Sequence, residues 1–469
     1  MDRVEDLAPA LSARAAPAPA PGRRAAVIGA GWAGCTAALE LARQGFAVTV
    51  FEAARVPGGR ARRVVVDGMA LDNGQHLLVG AYHECLRLID SCRGSAPDAA
   101  AAYARLPLTL APWGRFAGAV RLAAWRVPAP LHLAAALATA RGLPLGSRAA
   151  LAASFLRARR GGGSIPERAS VAEWFRGLPR DAFAGVVAPL CVAALNTLPE
   201  EASARVFANV LARTLAGSRA DSDFVIPATD LTALLPEPAL REVVARGGTL
   251  RLGVSARVVA TAAGRVAVAA GAEAFAFDGA VIAVAPHQLD GTLGPDVAAL
   301  GPCRSLQSIV AGYVYEPIST VYLGCDRPVP LAAPMLRLDD RPGQWLFARR
   351  LDPASATPAN VAALLAIVIS AHGSHERLAQ DELARAVEAQ LRRLAPGFPA
   401  VAWSRVITER RATFACVPAL PRPASAALAP GLHVAGDYTD PELPATLEAA
   451  VRSGCAAARS LAGQCRERD

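Results

Sequence analysis

The sequence predicts an α/β protein built around a Rossmann-like parallel sheet, with a further α+β region attached. Three observations predict it: a strand, a glycine turn and a helix in immediate succession around residue 30; a second strand that ends in an acid; and a strand-turn-helix at the C-terminal end.

The apolar run Ala25-Ala26-Val27-Ile28 reads as the first strand. Gly29-Ala30-Gly31-Trp32-Ala33-Gly34 is the turn, leading into a helix from Cys35 to Gln44 that Gly45 stops. The second strand, Ala47 to Phe51, ends in Glu52, 18 residues after the third glycine. Each glycine has its own task. Gly29 permits the tight turn, Gly31 lets a pyrophosphate approach the backbone at the helix N-terminus, and Gly34 lets the helix pack closely on the sheet. Glu52 is placed to accept hydrogen bonds from adenosine ribose hydroxyls, and its charge disfavours a 2′-phosphate. A bare G-x-G-x-x-G is a weak signal; with strand, helix and acid in place it specifies a dinucleotide, NAD or FAD alike.

Two further segments favour FAD. Pro57-Gly58-Gly59-Arg60-Ala61-Arg62 is a second glycine turn whose arginines can pair with pyrophosphate oxygens. Near the C-terminus the strand His433-Val434-Ala435 runs into Gly436-Asp437, and a helix begins around Thr446 with Leu447, Val451, Gly454, Ala458 and Leu461 at three-to-four spacing. An acid after a strand can hold the ribitol hydroxyls. The N-terminus of the next helix offers its positive dipole to the flavin edge where reduction accumulates negative charge.

Composition bounds the remaining classes. The chain has 469 residues, 53% hydrophobic and 19% charged, enough for more than one core. Its 49 basic residues are all arginine, so Schiff-base, P-loop and general-base lysines are excluded. Nine cysteines form no CxxC pair and no metal-ligand spacing, which fits a reducing, cytoplasmic compartment and predicts no metal site. Cys191 and Cys416 have no base partner and read as small buried hydrophobes. Residues 1–23 read as a disordered leader, because Asp2, Glu5 and Asp6 interrupt any positive n-region and no apolar h-region follows. No stretch reaches the roughly 20 apolar residues a membrane span needs. Residues 106–158 are apolar with isolated arginines and Trp113, Phe116 and Trp125, which reads equally as a peripheral membrane contact or as an ordinary helical subdomain. The scattered arginines and the lack of an aromatic-basic array argue against nucleic acid.

GAGWAG, FEAARVPGGRARR and VAGDYTDPELPATLEAAVRSG resemble the FAD-binding segments of the superfamily that contains amine oxidases, protoporphyrinogen oxidase and phytoene desaturase. The resemblance implies an FAD domain assembled from three discontinuous segments, 24–90, 217–285 and 400–469, with an α+β substrate domain from 91–216 and 286–399. Pro238 to Arg246 as a helix and Thr249 to Leu252 as a strand support the middle segment. Cofactor contacts are expected at Gly29, Gly31, Trp32, Ala33, Gly34, Glu52, Gly59, Arg60, Gly436, Asp437, Thr446 and Leu447, and near adenine at Ala256.

Four longer strings sharpen the match: LDNGQHLLVGAYHECLRL from Leu71, PLCVAALNTLPEEASARVF from Pro189, ERRATFACVPALPRP from Glu409, and the C-terminal segment. Together they resemble the hydroxysqualene dehydroxylase family, also called squalene-associated FAD-dependent desaturases. That resemblance implies an FAD-dependent oxidoreductase that replaces the hydroxyl of hydroxysqualene with hydrogen, for hopanoid synthesis. An amine oxidase is disfavoured, since those enzymes typically use a lysine-held water and an aromatic cage; this chain has no lysine and carries Ala445-Thr446 at the matching cage position. A carotenoid or other isoprenoid desaturase is the runner-up. The non-enzymatic reading is an isoprenoid- or membrane-binding partner of prenyl synthases.

An allylic C–O bond ionises if its oxygen is protonated as it leaves, and the cation accepts hydride from reduced flavin. The acid candidates are Asp72 and His76 in the LDNGQH loop. Asn196, in an otherwise apolar run, is a candidate for holding the substrate hydroxyl, against a plain helix-ending role. Arg410 and Arg411 are candidates for orienting the leaving water or facing the flavin phosphates.

Overall fold

The computed structural model describes residues 22–93, 102–159, 161–351, 358, 360–423 and 427–467. The expected leader, apart from its last two residues, lies outside them. The central sheet has six strands in the order Thr249–Leu252, Ala47–Glu52, Arg24–Ile28, Gly279–Ile282, Leu432–Val434 and Ala427–Ala429. The first five are parallel and the last is an antiparallel edge. Both faces are covered, so the inner strands RAAVI and GAVI are apolar nearly throughout, without alternation. The fold is α/β and Rossmann-like, as the sequence predicts, and the sheet gathers strands from three distant stretches of chain.

Helix Trp32–Arg43 follows the first strand, and the last helix, Leu447–Arg466, packs across it. Gly454 makes that crossing possible, because a Cβ there would stand 2.3 Å from the Ala33 carbonyl oxygen. The last helix also closes the end of another: buried Glu448 accepts from the backbone N–H groups of Glu84 (3.2 Å) and Cys85 (2.9 Å) in helix His83–Arg93.

A second sheet of five antiparallel strands runs in the order Met335–Arg337, Trp345–Arg349, Ala363–Ser370, Tyr315–Cys325, Val401–Phe414. Alternation along Tyr315–Cys325 divides two cores. Val321 and Leu323 pack beneath helix Gln380–Leu394 with Leu383, Val387 and Leu391. Tyr322 points the other way, into a core shared with Leu151, Phe207, Trp345 and Phe347.

Two expected domain boundaries cut across these packing units. Val401–Phe414 follows the boundary at 400, yet it is hydrogen-bonded along Tyr315–Cys325 in the second sheet. Leu289, Val297 and Leu306 follow the boundary at 286, yet they pack with Phe51 and Ile282 against the central sheet. Among the described residues, no helix is long and apolar enough to cross a membrane.

Candidate active site

A cavity of about 1170 Å³ lies between the two sheets' contributions. From the nucleotide-binding side its lining includes Gly29, Gly31, Trp32, Ala33, Glu52, Gly59, Arg60, Ala256, Gly436, Asp437, Thr446 and Leu447. From the other side it includes Leu190, Ala193, Ala194, Ile318, Met335, Trp345, Phe347 and Val368. This volume exceeds the roughly 300–1,000 Å³ of ordinary small-molecule pockets. It suits a dinucleotide with a second ligand beside it.

The three fingerprint glycines are required for different reasons. Gly29 has φ +103°, and a Cβ on it would stand 2.4 Å from the Ala283 carbonyl oxygen. A Cβ on Gly34, which does not line the cavity, would stand 1.9 Å from the Gly29 carbonyl oxygen. The protein itself forbids side chains at both. At Gly31 a Cβ would meet only the Gly59 Cα, at 3.9 Å, and its backbone is extended (φ −69°, ψ 177°). Folding does not demand this glycine; the open space above it is room for a ligand. Gly31 also begins helix Trp32–Arg43 with no side-chain cap, leaving the positive end of the helix to the cavity.

Around this turn the loops are pinned. The Trp32 indole N–H donates to the Ala61 carbonyl (3.0 Å), tying helix start to second glycine turn. Glu52 accepts from the Ala30 N–H (2.6 Å) and the Ala54 N–H (2.8 Å), which fixes its carboxylate at the cavity wall. Arg60 pairs with Asp437 at 2.6 Å and donates to the Ala412 carbonyl at 2.7 Å, joining three distant stretches at one point. Gly436 N–H donates to Ser453 Oγ (2.9 Å), and Thr446 caps the last helix by accepting from the Ala449 N–H (3.2 Å). That helix therefore directs its N-terminal dipole at the cavity beside Asp437. Open space at Gly31, two helix N-termini, the Glu52 carboxylate at the cavity wall and the Arg60–Asp437 pair fit an FAD.

The expected catalytic residues separate. His76 lines the cavity. Its Nδ1–H donates to the Gly74 carbonyl (2.9 Å), so Nε2 is the available atom, and burial lowers its pKa below the usual histidine range. Asp72 does not line the cavity. It is 1% exposed, pairs with Arg349 at 2.9 Å and accepts from the Leu231 N–H at 2.8 Å. Burial pushes its pKa up while Arg349 opposes the shift, but the carboxyl has no access to substrate. Asp72 is thus a bolt between the loop and strand Trp345–Arg349.

Asn196 lines the cavity, yet it serves to end a helix rather than standing free for a substrate hydroxyl, because its amide nitrogen and oxygen are both bonded to protein. Its Nδ2 donates to Thr413 Oγ1 (3.0 Å) and towards the carbonyls of Pro317 (3.3 Å) and Glu316 (3.4 Å). Its Oδ1 accepts from the Ala371 N–H (2.6 Å). Its backbone is left-handed, φ 49°, ending helix Ala188–Leu195, a conformation asparagine tolerates well.

Arg410 and Arg411 line the cavity, with Arg411 over the Tyr315 ring at 5.9 Å. Cys191 and Cys416 are buried with their thiols pushed up in pKa by desolvation, Cys416 to about 11. Sequence reasoning missed Glu409, which lines the cavity and accepts from Asn73 Nδ2 (3.0 Å) and the Arg411 N–H (3.2 Å). The only signal was its place directly before two conspicuous arginines. Outside the cavity, Glu201, Glu316 and His372 bring donor atoms within 4.8 Å, but Glu316 is already engaged by the His372 N–H and Nδ1.

The sequence pattern of the flavin containing amine oxidoreductase family matches residues 32–462. The chain is 31% identical to the hydroxysqualene dehydroxylase of Rhodopseudomonas palustris, covering 92% of this chain and 96% of that one. It is 28% identical to the hydroxysqualene dehydroxylase of Sinorhizobium fredii with the same coverage. Similarity to the zeta-carotene-forming phytoene desaturase of Myxococcus xanthus is 50% but spans 12% of this chain and 11% of that one. In fold it resembles an oxidoreductase from Methanosarcina mazei (TM-score 0.70, 16% identity, 92% and 99% coverage). It likewise resembles cyclohexylamine oxidase from Brevibacterium oxydans (TM-score 0.68, 17% identity, 95% and 100% coverage). The chain belongs to the flavin containing amine oxidoreductase family and is an FAD-dependent oxidoreductase.

Proposed function

We propose that the protein catalyses reductive dehydroxylation of hydroxysqualene to squalene, a step of squalene and hopanoid biosynthesis. The observation that carries the proposal is the shared cavity, in which the glycine turn of the central sheet and the walls Met335, Trp345, Phe347 and Val368 face one space. A long isoprenoid offers one hydroxyl and otherwise hydrocarbon, so its affinity rests on apolar burial at ~25 cal/mol per Å². The relatives named above, similar over nearly their whole length, support the same substrate.

Gly31, Glu52, Arg60, Ala256, Asp437, Thr446 and Leu447 are the residues that would hold FAD. Bound and reduced, the flavin supplies the hydride. The protein's own part is to orient, exclude water and move one proton. The apolar walls keep water from capturing an allylic cation. The N-terminus of helix Leu447–Arg466 stabilises negative charge on the reduced cofactor's side of the site. His76, anchored through Nδ1–H, presents Nε2 towards the substrate space; in its imidazolium form it protonates the departing hydroxyl, which leaves as water.

An amine substrate fits less well, because Ala445 supplies no aromatic wall and no lysine is present. The hydrocarbon substrate is delivered from lipid or by a prenyl synthase of the same pathway, on the cytoplasmic side. The test is anaerobic mixing of photoreduced holoprotein with detergent-dispersed hydroxysqualene, followed by mass spectrometry. Squalene is the expected product. A more unsaturated polyene without loss of oxygen would point to a desaturase, and no turnover to a binding protein.

A further inference from the structure

We infer that the helical hairpin Leu131–Ala138 and Leu145–Ala158, with the Trp125-Arg126 approach to it, docks on a bilayer containing anionic lipid. This deepens, and rests on, the reading that the substrate is a lipid-borne hydrocarbon.

The first observation is charge. Between Asp98 and Glu167 the sequence has no acidic residue and nine arginines, a number equal to the formal net charge of the whole chain, +9. Everywhere else positive and negative residues balance, so the entire excess resides in this one segment. Arg126, Arg141, Arg157 and Arg159 are exposed, and none forms an ion pair among the described residues. No acid within the segment is available to neutralise them.

The second observation is apolar exposure in the same place. Of seven exposed large hydrophobic residues among the described ones, four are Trp125 (52%), Leu131 (61%), Leu145 (78%) and Leu156 (61%). On helix Leu145–Ala158 the exposed Leu145, Ala149, Ala153 and Leu156 follow three-to-four spacing, one outward stripe, while Leu151 and Ala158 face the core. The two helices are fastened together, since Arg148 donates to the carbonyls of Ala138 (2.6 Å) and Leu143 (2.9 Å). The stripe is therefore a formed surface and not a frayed end. It also backs onto the chamber: Leu151 belongs to the same core as Met335, Trp345 and Phe347.

Apolar side chains flanked by unopposed arginines match a leaflet of anionic headgroups over hydrocarbon. A nucleic acid would use the charge but leave the leucines in water, and among the described residues of this patch Trp125 is the one exposed aromatic ring for stacking.

The test is co-sedimentation of holoprotein with phosphatidylcholine vesicles, with and without phosphatidylglycerol. Wild type is expected to bind the anionic vesicles and to release with salt. Arg126→Gln with Arg159→Gln should weaken binding to anionic vesicles by roughly fivefold per arginine, and Leu145→Ser with Leu156→Ser should weaken it at every lipid composition. Both pairs lie on the surface, so melting temperature and turnover of detergent-dispersed hydroxysqualene should stay at wild-type values. The inference is overturned if wild type ignores anionic vesicles, if both variants bind as wild type does, or if short RNA is bound in place of vesicles. Loss of turnover in detergent with vesicle binding intact would count against the proposed reaction alone.

Discussion

The glycine turn under the central sheet and the aromatic wall of the second sheet bound the same cavity but recognise ligands by opposite means. At the turn, contact is made by backbone and helix dipole, so single atoms matter: one Cβ at Gly34 collides with the chain at 1.9 Å, while the space over Gly31 is left open. At the wall, Met335, Trp345 and Phe347 present only bulk and apolar area. The difference teaches that the cofactor side is specified position by position and the substrate side only in sum. Substitutions should accordingly have sharp, separable effects on one side and graded effects on the other.

The strongest contrast lies within the turn. Gly34→Val is expected to yield no soluble protein. Gly31→Val should fold with a near-normal melting temperature but bind FAD at least ~100-fold more weakly by fluorescence titration, because only the pyrophosphate is displaced. Equal stability losses for the two would erase the distinction. On the wall, Trp345→Ala should raise the KM for hydroxysqualene about 30-fold, near 2 kcal/mol of lost burial, with FAD affinity unchanged.

Asn196→Ala should lower stability by about 2 kcal/mol in denaturant titration, since the Ala371 N–H and Thr413 lose a buried partner, and leave KM unaltered. A raised KM with unchanged stability would restore Asn196 to the substrate. The smallest effect concerns His76. Its folded pKa lies below the ordinary value, so the donating imidazolium becomes more populated as pH falls towards and through that value. Single-turnover rates should rise several-fold per pH unit on acidification from neutrality and then level, a slope absent in His76→Gln. The same depressed pKa costs stability in that window, because the unfolded chain takes up the proton more readily.

What could be read in advance follows from the same contrast. The run from Ala25 to Glu52 is local: spacing, glycines and acid lie in one stretch, and the strand and helix appear where expected. The capping Thr446 and its helix were legible for the same reason. Asp72 misled because its partner, Arg349, is far along the chain, and nothing near LDNGQH announces that the carboxylate is bolted shut. Asn196 misled similarly, since its four partners come from strands Tyr315–Cys325 and Val401–Phe414 and the turn at Ala371. The run Trp345-Leu346-Phe347 is apolar throughout, so nothing in it says which face of its strand packs under a helix and which lines the cavity. The expected boundary at 400 falls just before Val401–Phe414 because that segment adjoins the C-terminal FAD stretch in sequence, while its pairing with residues 315–325 is encoded by no local pattern.

The claim that a single cavity brings flavin and hydrocarbon face to face is tested most directly by anaerobic stopped-flow absorbance of photoreduced holoprotein against hydroxysqualene. Oxidised-flavin absorbance should return in one saturable phase, stoichiometric with squalene formed, and should not return when squalene itself is added. Flavin that stays reduced in the presence of saturating hydroxysqualene would contradict the account.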